Sequence, residues 1–367
     1  MKNKLIRQIG VGIVAALWLV LTFTAWFSPA KAASDAERRP LKQFPTLTVK
    51  TLLDGNFMKN FESYTLDQFP LRDSFRQVKS LFHYDVLQQM DNNKIYIEDG
   101  HAAKLEYPFK PDAAAHALKK FQFLYDSYLK EQGSKVYTAV VPDKGYYLAA
   151  PNGYPAMDYE ALFDAVKQGM PWATYIDLTD LLSIEDYYFT DTHWRQEKIL
   201  DVAQRITETM GMPAPQAEDF RQTAVERPFY GVYYGQAALP MASETLYLME
   251  NDILDGCTVT IEGSKTAPVY DREKLTGKDL YEVFLSGSVS LAKIENPNAS
   301  TDRELIVFRD SFGSSLTPLL VSQYKTVTLV DIRYIASQML PNFMDFHGQD
   351  VLFLYSTLVL NNGTTLK

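Results

Sequence analysis

Three continuous apolar runs near the C-terminus constrain the fold more than any other feature of the sequence. They read ELIVF, TVTLVDI and DVLFLYS, and a helix-like stretch, DSFGSSLTPLLVSQY, follows the first of them. A similar run, KVYTAVVP, lies earlier, between amphipathic helix patterns at residues 112–131 and 158–167. Strands that are apolar on both faces and alternate with helices are typical of a parallel sheet between two helical layers. The sequence therefore predicts an α/β fold with helices on both faces of a parallel sheet.

The first 32 residues differ from the rest of the chain. A basic stub, MKNKLIR, precedes an uncharged run at residues 9–27. This run is close to the length that spans a bilayer, while the following Ala-Lys-Ala offers a small-x-small cleavage site. Residues 1–32 are therefore either a signal peptide or a membrane anchor. In both cases the basic stub stays inside, which predicts that the remainder is exported.

The exported part divides into two regions by composition, and the second contains a distinct segment. Residues 33–50 are polar and contain prolines, as expected of a linker between a membrane and a domain. Residues 51–367 are predicted to form one domain that begins with helical patterns at residues 51–89. Within it, residues 213–300 are rich in Tyr, Gly, Pro and short β-like runs, which predicts an inserted β-rich region.

Charge and cysteine content narrow the possible functions. The net charge is −9, and the basic residues of the first 32 positions make the exported part more acidic still. Such a chain is poorly suited to nucleic acid or anionic lipid as its main partner. Cys257 is the single cysteine, so no disulfide can form within the chain.

One candidate functional group lies at a predicted strand end. The sequence RDSFG places Ser311 on the turn from ELIVF into a helix. A serine there is well placed to act as a nucleophile, because the free N–H groups of the new helix can receive an oxyanion. The alternative is that Asp310 or Ser311 is an ordinary helix cap.

A second candidate is the run FTDTHWRQE, which contains Asp191 and His193. Asp191 or Thr192 can cap a helix predicted from Trp194 to Met210. The two side chains can also be metal ligands, although a metal site needs a third ligand and no His, Asp or Glu cluster stands nearby. In the third interpretation His193 is a general base that Asp191 orients towards a serine.

Both motifs together resemble the DHHW family. Those proteins are relatives of the alginate O-acetyltransferases AlgX and AlgJ, within the SGNH-hydrolase superfamily. The stretches RPLKQFP, FPLRDSF, FYGVYYGQ and VTLVDIRYI fit as well, so that the resemblance covers roughly residues 38–367. It implies an SGNH-hydrolase-like, flavodoxin-like sheet with a circularly permuted motif order, because the Asp–His pair precedes the serine. It also implies Ser311 as nucleophile, His193 as general base and Asp191 as its orienting carboxylate.

The sequence departs from the family pattern in two places. Thr192 stands where the DHHW name implies a second histidine. The oxyanion asparagine of SGNH enzymes would fall near residues 355–357, and no asparagine is found there. We therefore predict oxyanion or substrate contacts from four other side chains: Lys144, Trp194, Arg333 and Tyr334.

The resemblance implies an O-acyltransferase that moves acetyl groups to hydroxyls of an exopolysaccharide or cell-wall glycan through an acetyl-serine. A multi-pass membrane acyltransferase would supply the acetyl group, and neither a metal nor another cofactor is expected. The chain would work on the outer face of a bacterial cytoplasmic membrane or outside the cell. A carbohydrate acetyl esterase with the same triad and a non-catalytic polysaccharide-binding protein remain alternatives.

Overall fold

A computed structural model describes residues 2–34 and 36–367, without the side chains of Lys2 and Asn3. The chain divides into two compact units. The first comprises Met1–Gln89 with Ala238–Pro240, and the second comprises Met90–Ala237 with Met241–Lys367.

The first unit is mainly helical. Its elements in chain order are α1 (Lys2–Phe27), β1 (Ala33–Ser34), β2 (Arg39–Pro40), α2 (Val49–Leu53), α3 (Asn56–Asp67) and α4 (Arg72–Leu81). Over Lys4–Phe27, α1 is long and apolar enough to cross a membrane, a test by length and composition that N-terminal signal sequences also pass. This helix agrees with the prediction of a secreted or membrane-anchored protein. The helical pattern predicted at residues 51–89 is divided among α2, α3 and α4.

The second unit is built on a large sheet with helices. Its strands are β3 (Ile95–Glu98), β4 (His101–Lys104), β5 (Val136–Val141), β6 (Thr174–Ile176), β7 (Arg221–Ala224), β8 (Tyr247–Glu250), β9 (Thr258–Ile261), β10 (Lys265–Ala267), β11 (Leu291–Glu295), β12 (Glu304–Arg309), β13 (Thr326–Val330) and β14 (Asp350–Ser356). Its helices are α5 (Pro111–Leu124), α6 (Lys144–Leu148), α7 (Tyr159–Gly169), α8 (Leu200–Thr209), α9 (Val232–Ala237), α10 (Asp252–Asp255), α11 (Phe312–Leu320) and α12 (Thr357–Leu360).

The predicted strands form the parallel part of the sheet. Its strand order is β10-β9-β11-β13-β12-β14-β5-β6, and the pairs from β13 to β6 are parallel. Every residue of β5, β13 and β14 is buried. Alternate residues of one strand enter different apolar cores: Leu305 and Val307 pack with α8 and α11, whereas Ile306 and Phe308 pack with α5 and α7. The α/β fold with both faces of the sheet covered is therefore confirmed.

The sheet is not parallel throughout as predicted, because residues 213–300 add antiparallel strands to it. Three of their strands, β9, β10 and β11, continue the central sheet in antiparallel pairs beyond β13. Antiparallel edge strands on a parallel core give a mixed sheet. The remaining strands of this region, β7 and β8, pair with each other.

The helix predicted from Trp194 also begins later than expected. Residues 196–198 form a single 3₁₀ turn, and α8 starts only at Leu200. The segment from Asp191 to Trp194 therefore lies in a loop, so that Asp191 does not cap α8.

Candidate functional site

The loop between β12 and α11 holds Ser311 at a carboxyl end of the parallel strands, where functional groups gather in open α/β sheets. The buried carboxylate of Asp310 shapes this loop. Its Oδ1 accepts the Phe312 N–H at 3.0 Å, and its Oδ2 accepts the Ser356 N–H at 2.7 Å, which ties the loop to the end of β14. Ser311 occupies the N-cap position of α11, but its side chain makes no capping hydrogen bond. The hydroxyl is therefore available for another partner.

That partner is His193. The imidazole Nε2 lies 2.7 Å from Ser311 Oγ, and the imidazole Nδ1 lies 2.5 Å from Asp191 Oδ1. Asp191 is fully buried and His193 is 9% exposed, whereas Ser311 is partly exposed. The structure thus brings together the three side chains that the two sequence motifs pointed to.

These contacts fit a neutral imidazole with its proton on Nδ1. A carboxylate on Nδ1 favours this tautomer, which leaves Nε2 as an acceptor for the serine proton. Asp191 is itself held in place, because Oδ1 also accepts the His193 N–H at 3.1 Å and Oδ2 accepts the Val232 N–H at 2.7 Å. The arrangement can activate a serine hydroxyl as a nucleophile.

An oxyanion donor is available at the same position. The backbone N–H of Ser311 has no hydrogen-bond acceptor among the residues that the structure describes. It stands at the N-terminus of α11, where the helix dipole favours negative charge. This N–H was the oxyanion donor predicted most directly from the strand-to-helix turn.

Lys144 does not occupy the predicted role of a substrate contact. Its side chain is buried, and its ammonium donates to backbone carbonyls of Ala102, Tyr188, Phe189 and Asp191 at 2.6–3.1 Å. Burial lowers the pKa of Lys144 to about 7, although the charges of Glu244 and Asp191 act in the opposite direction. Lys144 therefore fixes the backbone of the loop that carries Asp191.

Trp194 is likewise unsuited to contact substrate. Its side chain is fully buried, and the indole N–H donates to Ser315 Oγ at 2.9 Å and to the Phe312 carbonyl at 3.2 Å. The tryptophan thereby joins the loop of His193 to the first turn of α11. Its role is to hold the two halves of the site together.

Arg333 and Tyr334 follow β13. Arg333 forms a two-pronged ion pair with buried Asp331, at 2.9 Å and 2.6 Å. Burial opposes the charge of Arg333, but the hydrogen bonds and charge of Asp331 outweigh this effect and raise the pKa of the guanidinium. Tyr334 is 51% exposed. No direct bond joins either residue to Ser311 or His193 within the described ranges, so their substrate role stays a prediction.

Residues 231–244 supply contacts that the sequence analysis missed. The Glu244 carboxylate accepts the N–H groups of Phe189 and Thr190 at 2.6 Å and 2.8 Å, and the Thr190 hydroxyl at 2.8 Å. Gly231 lies so close to Asp191 that a Cβ at this glycine would fall 2.2 Å from the Asp191 Cβ. Gly231 belongs to the FYGVYYGQ stretch that fits the family resemblance, but no local sequence pattern predicts that it or Glu244 contacts residues 189–191, which lie much earlier in the chain.

Comparisons with known proteins support the fold. No protein-family model matches the sequence, and no curated protein matches it. The solved structure of a DHHW family protein from Eubacterium siraeum is 20% identical to this chain, with a TM-score of 0.59 over 75% of this chain and 94% of that one. Bacillus cereus PatB1 with a sulfonyl adduct is 20% identical, with a TM-score of 0.60 over 72% and 95% of the two chains. The O-acetyltransferase domain of Pseudomonas putida AlgJ is 15% identical, with a TM-score of 0.44 over 73% and 92%.

The two likenesses with TM-scores of 0.59 and 0.60 confirm the resemblance predicted from the Asp-x-His-Trp and Arg-Asp-Ser-Phe-Gly motifs at the level of fold. At 20% identity they establish the architecture of the sheet and helices.

Proposed function

We propose that this chain is an exported, membrane-associated O-acetyltransferase that acetylates hydroxyls of an exopolysaccharide or cell-wall glycan. The observation that carries the proposal is the unbroken hydrogen-bond chain from Ser311 Oγ through His193 to Asp191. The resemblance to AlgX and AlgJ supplies the reaction class and the glycan acceptor.

The first half-reaction transfers the acetyl group to the enzyme. Ser311 Oγ attacks the carbonyl carbon of an acetyl ester while His193 Nε2 takes the hydroxyl proton. The carbonyl oxygen becomes an oxyanion that the Ser311 N–H stabilises. The bond to the donor oxygen then breaks, His193 returns the proton to that oxygen, and an acetyl-serine remains.

The second half-reaction regenerates Ser311. A glycan hydroxyl gives its proton to His193 Nε2, and its oxygen attacks the acetyl-serine carbonyl. When the intermediate collapses, Ser311 Oγ leaves and recovers the proton from His193. Asp191 stabilises the imidazolium that forms in both halves.

The finer features of the assignment follow from the same resemblance. The Asp–His pair precedes the serine in the chain, which corresponds to the permuted motif order, with residues 213–300 as the inserted region. The exported residues 51–367 would act as the catalytic domain. The acetyl group would come from a multi-pass membrane acyltransferase that delivers it across the bilayer.

A serine-directed assay tests the proposal. Full-length protein incubated with a soluble acetyl ester should gain the mass of one acetyl group on Ser311, and a sulfonyl fluoride should label the same residue. Ser311→Ala should abolish both modifications and acetylation of an oligosaccharide acceptor. Ser314→Ala, a matched change at a buried serine three positions along, should preserve them.

The products formed in the presence of an oligosaccharide acceptor distinguish acetyl transfer from hydrolysis. Release of free acetate at every oligosaccharide concentration would identify a carbohydrate acetyl esterase with the same triad. A Ser311→Ala protein that still acetylates the glycan, or a wild-type protein that neither reagent labels, would disprove the catalytic proposal and favour a polysaccharide-binding protein.

A further inference from the structure

Helix α4 in the first unit has its polar side covered and its apolar side exposed. A surface helix of a water-soluble domain normally buries its apolar side. In α4 the covered side is polar: Ser80 is fully buried, and Arg72 and Arg76 reach the carboxylate of Glu37 at 2.5 Å and 3.4 Å. The contacts on the covered side are therefore ionic, while the ring of Phe75 meets that of Phe69 edge-on with centroids 5.4 Å apart.

Helix α3 shows the same inversion at its C-terminal end. Asp67 is buried and forms a two-pronged ion pair with Arg39 at 2.6 Å and 2.9 Å. It also accepts the Lys42 N–H at 2.9 Å. Its neighbour Leu66 points outward and is 64% exposed.

The outward side of α4 is a continuous apolar stripe. Phe75, Val78 and Phe82 follow each other at spacings of three and four residues, which places them on one helix face, and Leu71 stands at the N-cap of the helix. The exposed fractions of Leu71, Phe75, Val78 and Phe82 are 69%, 47%, 64% and 50%. Exposure of a contiguous apolar face of this kind marks an interaction surface.

The position of this stripe along the chain indicates which partner it contacts. Lys31 N–H donates to the Gln68 side-chain oxygen at 2.8 Å, and the Gln68 amide nitrogen donates back to the Lys31 carbonyl at 2.9 Å. Gln68 ends α3, and Lys31 stands four residues after Phe27, the last residue of α1. Four residues extend at most about 14 Å. The junction of α3 and α4 is therefore held within that distance of the end of a helix whose length and composition suit a bilayer.

We propose that α1 spans a membrane and that the apolar face of α4, here defined as Leu71, Phe75, Val78 and Phe82, lies in the surface of the same membrane. An interfacial helix buries its apolar face about 5–10 Å deep at the boundary of headgroups and acyl chains. Lipid rather than a protein is the partner because α2 and Phe44 of the same unit are exposed as well, and fluid acyl chains accept such an uneven surface. The short tether also keeps the bilayer within reach at all times.

Single-site spin labelling of the full-length protein tests this contact. Cys257 is buried and is the sole cysteine, so Cys257→Ala provides a background for Val78→Cys on the apolar face. Gln77→Cys is the matched control, because Gln77 is exposed on the same helix but points away from the stripe. The nitroxide-labelled proteins are reconstituted in phosphatidylcholine vesicles and relaxed with oxygen or with a water-soluble nickel chelate.

Contact with lipid predicts that the label at Val78 is relaxed mainly by oxygen and is at least several-fold less accessible to nickel than the label at Gln77. Equal nickel accessibility at the two positions would overturn the proposal. Protection of Val78 in native membranes but not in pure phosphatidylcholine would overturn it too, because the partner would then be a membrane protein.

Discussion

The ring of Tyr281 lies parallel to the imidazole of His193, with ring centroids 3.9 Å apart and an angle of 6° between the planes. The Tyr281 hydroxyl bonds Ser315 Oγ at 2.8 Å and donates to the Ser311 carbonyl at 3.3 Å. The imidazole is thus held at its edges by Asp191 and Ser311 and on one face by an aromatic ring. The stacked ring therefore helps to hold the imidazole in the orientation that faces Ser311.

Loss of the stacked ring should slow catalysis. We expect Tyr281→Leu to lower kcat for acetyl-ester turnover by about tenfold, which corresponds to roughly 1.4 kcal/mol of transition-state stabilisation. Tyr281→Phe keeps the ring and removes the hydroxyl, so its kcat should stay within a few-fold of wild type. Steady-state kinetics of the two variants distinguish an effect of the stacked ring from an effect of the hydroxyl. If phenylalanine impairs kcat as strongly as leucine does, the hydroxyl and not the stack carries the effect.

A methyl group at Gly231 should displace Asp191 from its position beside His193. Gly231→Ala would place a Cβ 2.2 Å from the Asp191 Cβ, so that the backbone on one side must move. Geometric errors of about 1 Å cost roughly 10²-fold in rate, and we expect a loss of at least that size in kcat/KM with retained far-ultraviolet circular dichroism.

Gly256→Ala is the control for this substitution. The nearest obstacle there is the Asn298 Nδ2 at 3.1 Å, the mobile end of a side chain. This variant should keep wild-type turnover. A fully active Gly231→Ala protein would show that Asp191 does not need its present position.

The site residues that lie on regular elements or in short motifs could be predicted from the sequence. The strand-to-helix turn pointed to Ser311, and the resemblance to the DHHW family implied its pairing with His193 and Asp191. Sequence patterns could not place Glu244 or Tyr281, because they approach the site through tertiary packing from a region with no periodic pattern. Lys144 was misassigned for a similar reason: its burial depends on carbonyls of residues 102 and 188–191, which only the folded chain brings together.

The strands of the sheet also differ in how far the sequence predicts them. Apolar runs such as β12 and β14 signal burial on both faces and could be predicted as parallel strands. The strands β9, β10 and β11 are short. Strand β10 pairs with β9, β9 with β11, and β11 with β13, and their sequences carry no pattern that fixes the direction of these pairs.

The Glu244 carboxylate should be required for the order of the loop. Glu244→Gln replaces one acceptor oxygen with an amide nitrogen, so that the side chain can no longer accept hydrogen bonds from both Phe189 and Thr190 with separate oxygens. Hydrogen bonds to charged groups contribute about 1.5–3 kcal/mol, and we expect roughly a tenfold loss in kcat/KM. Glu226→Gln, at an exposed glutamate, should be neutral. Kinetics indistinguishable between the two variants would remove Glu244 from the site.

Lys144 should make stability depend on pH in a defined direction. In the unfolded chain a lysine has a pKa near 10.4, whereas burial lowers the folded-state pKa of Lys144 to about 7. Between these values the unfolded chain binds a proton that the folded chain lacks, so the free energy of unfolding rises with pH, by at most about 1.4 kcal/mol per pH unit. The contribution is complete above the unfolded pKa and is lost as the pH falls to about 7.

Thermal unfolding at pH 7, 8 and 9 measures this dependence. Lys144→Met is the matched variant, because methionine has a similar unbranched shape but no ionisable group. It should unfold at a lower temperature throughout, since the four carbonyls that Lys144 binds lose their donor. The midpoint of the wild-type protein should also rise with pH relative to that of Lys144→Met. A constant difference between the two midpoints over this range would mean that Lys144 keeps its proton in the folded state, held by the four carbonyls, and that its ammonium orders the Asp191 loop at every pH at which the protein works.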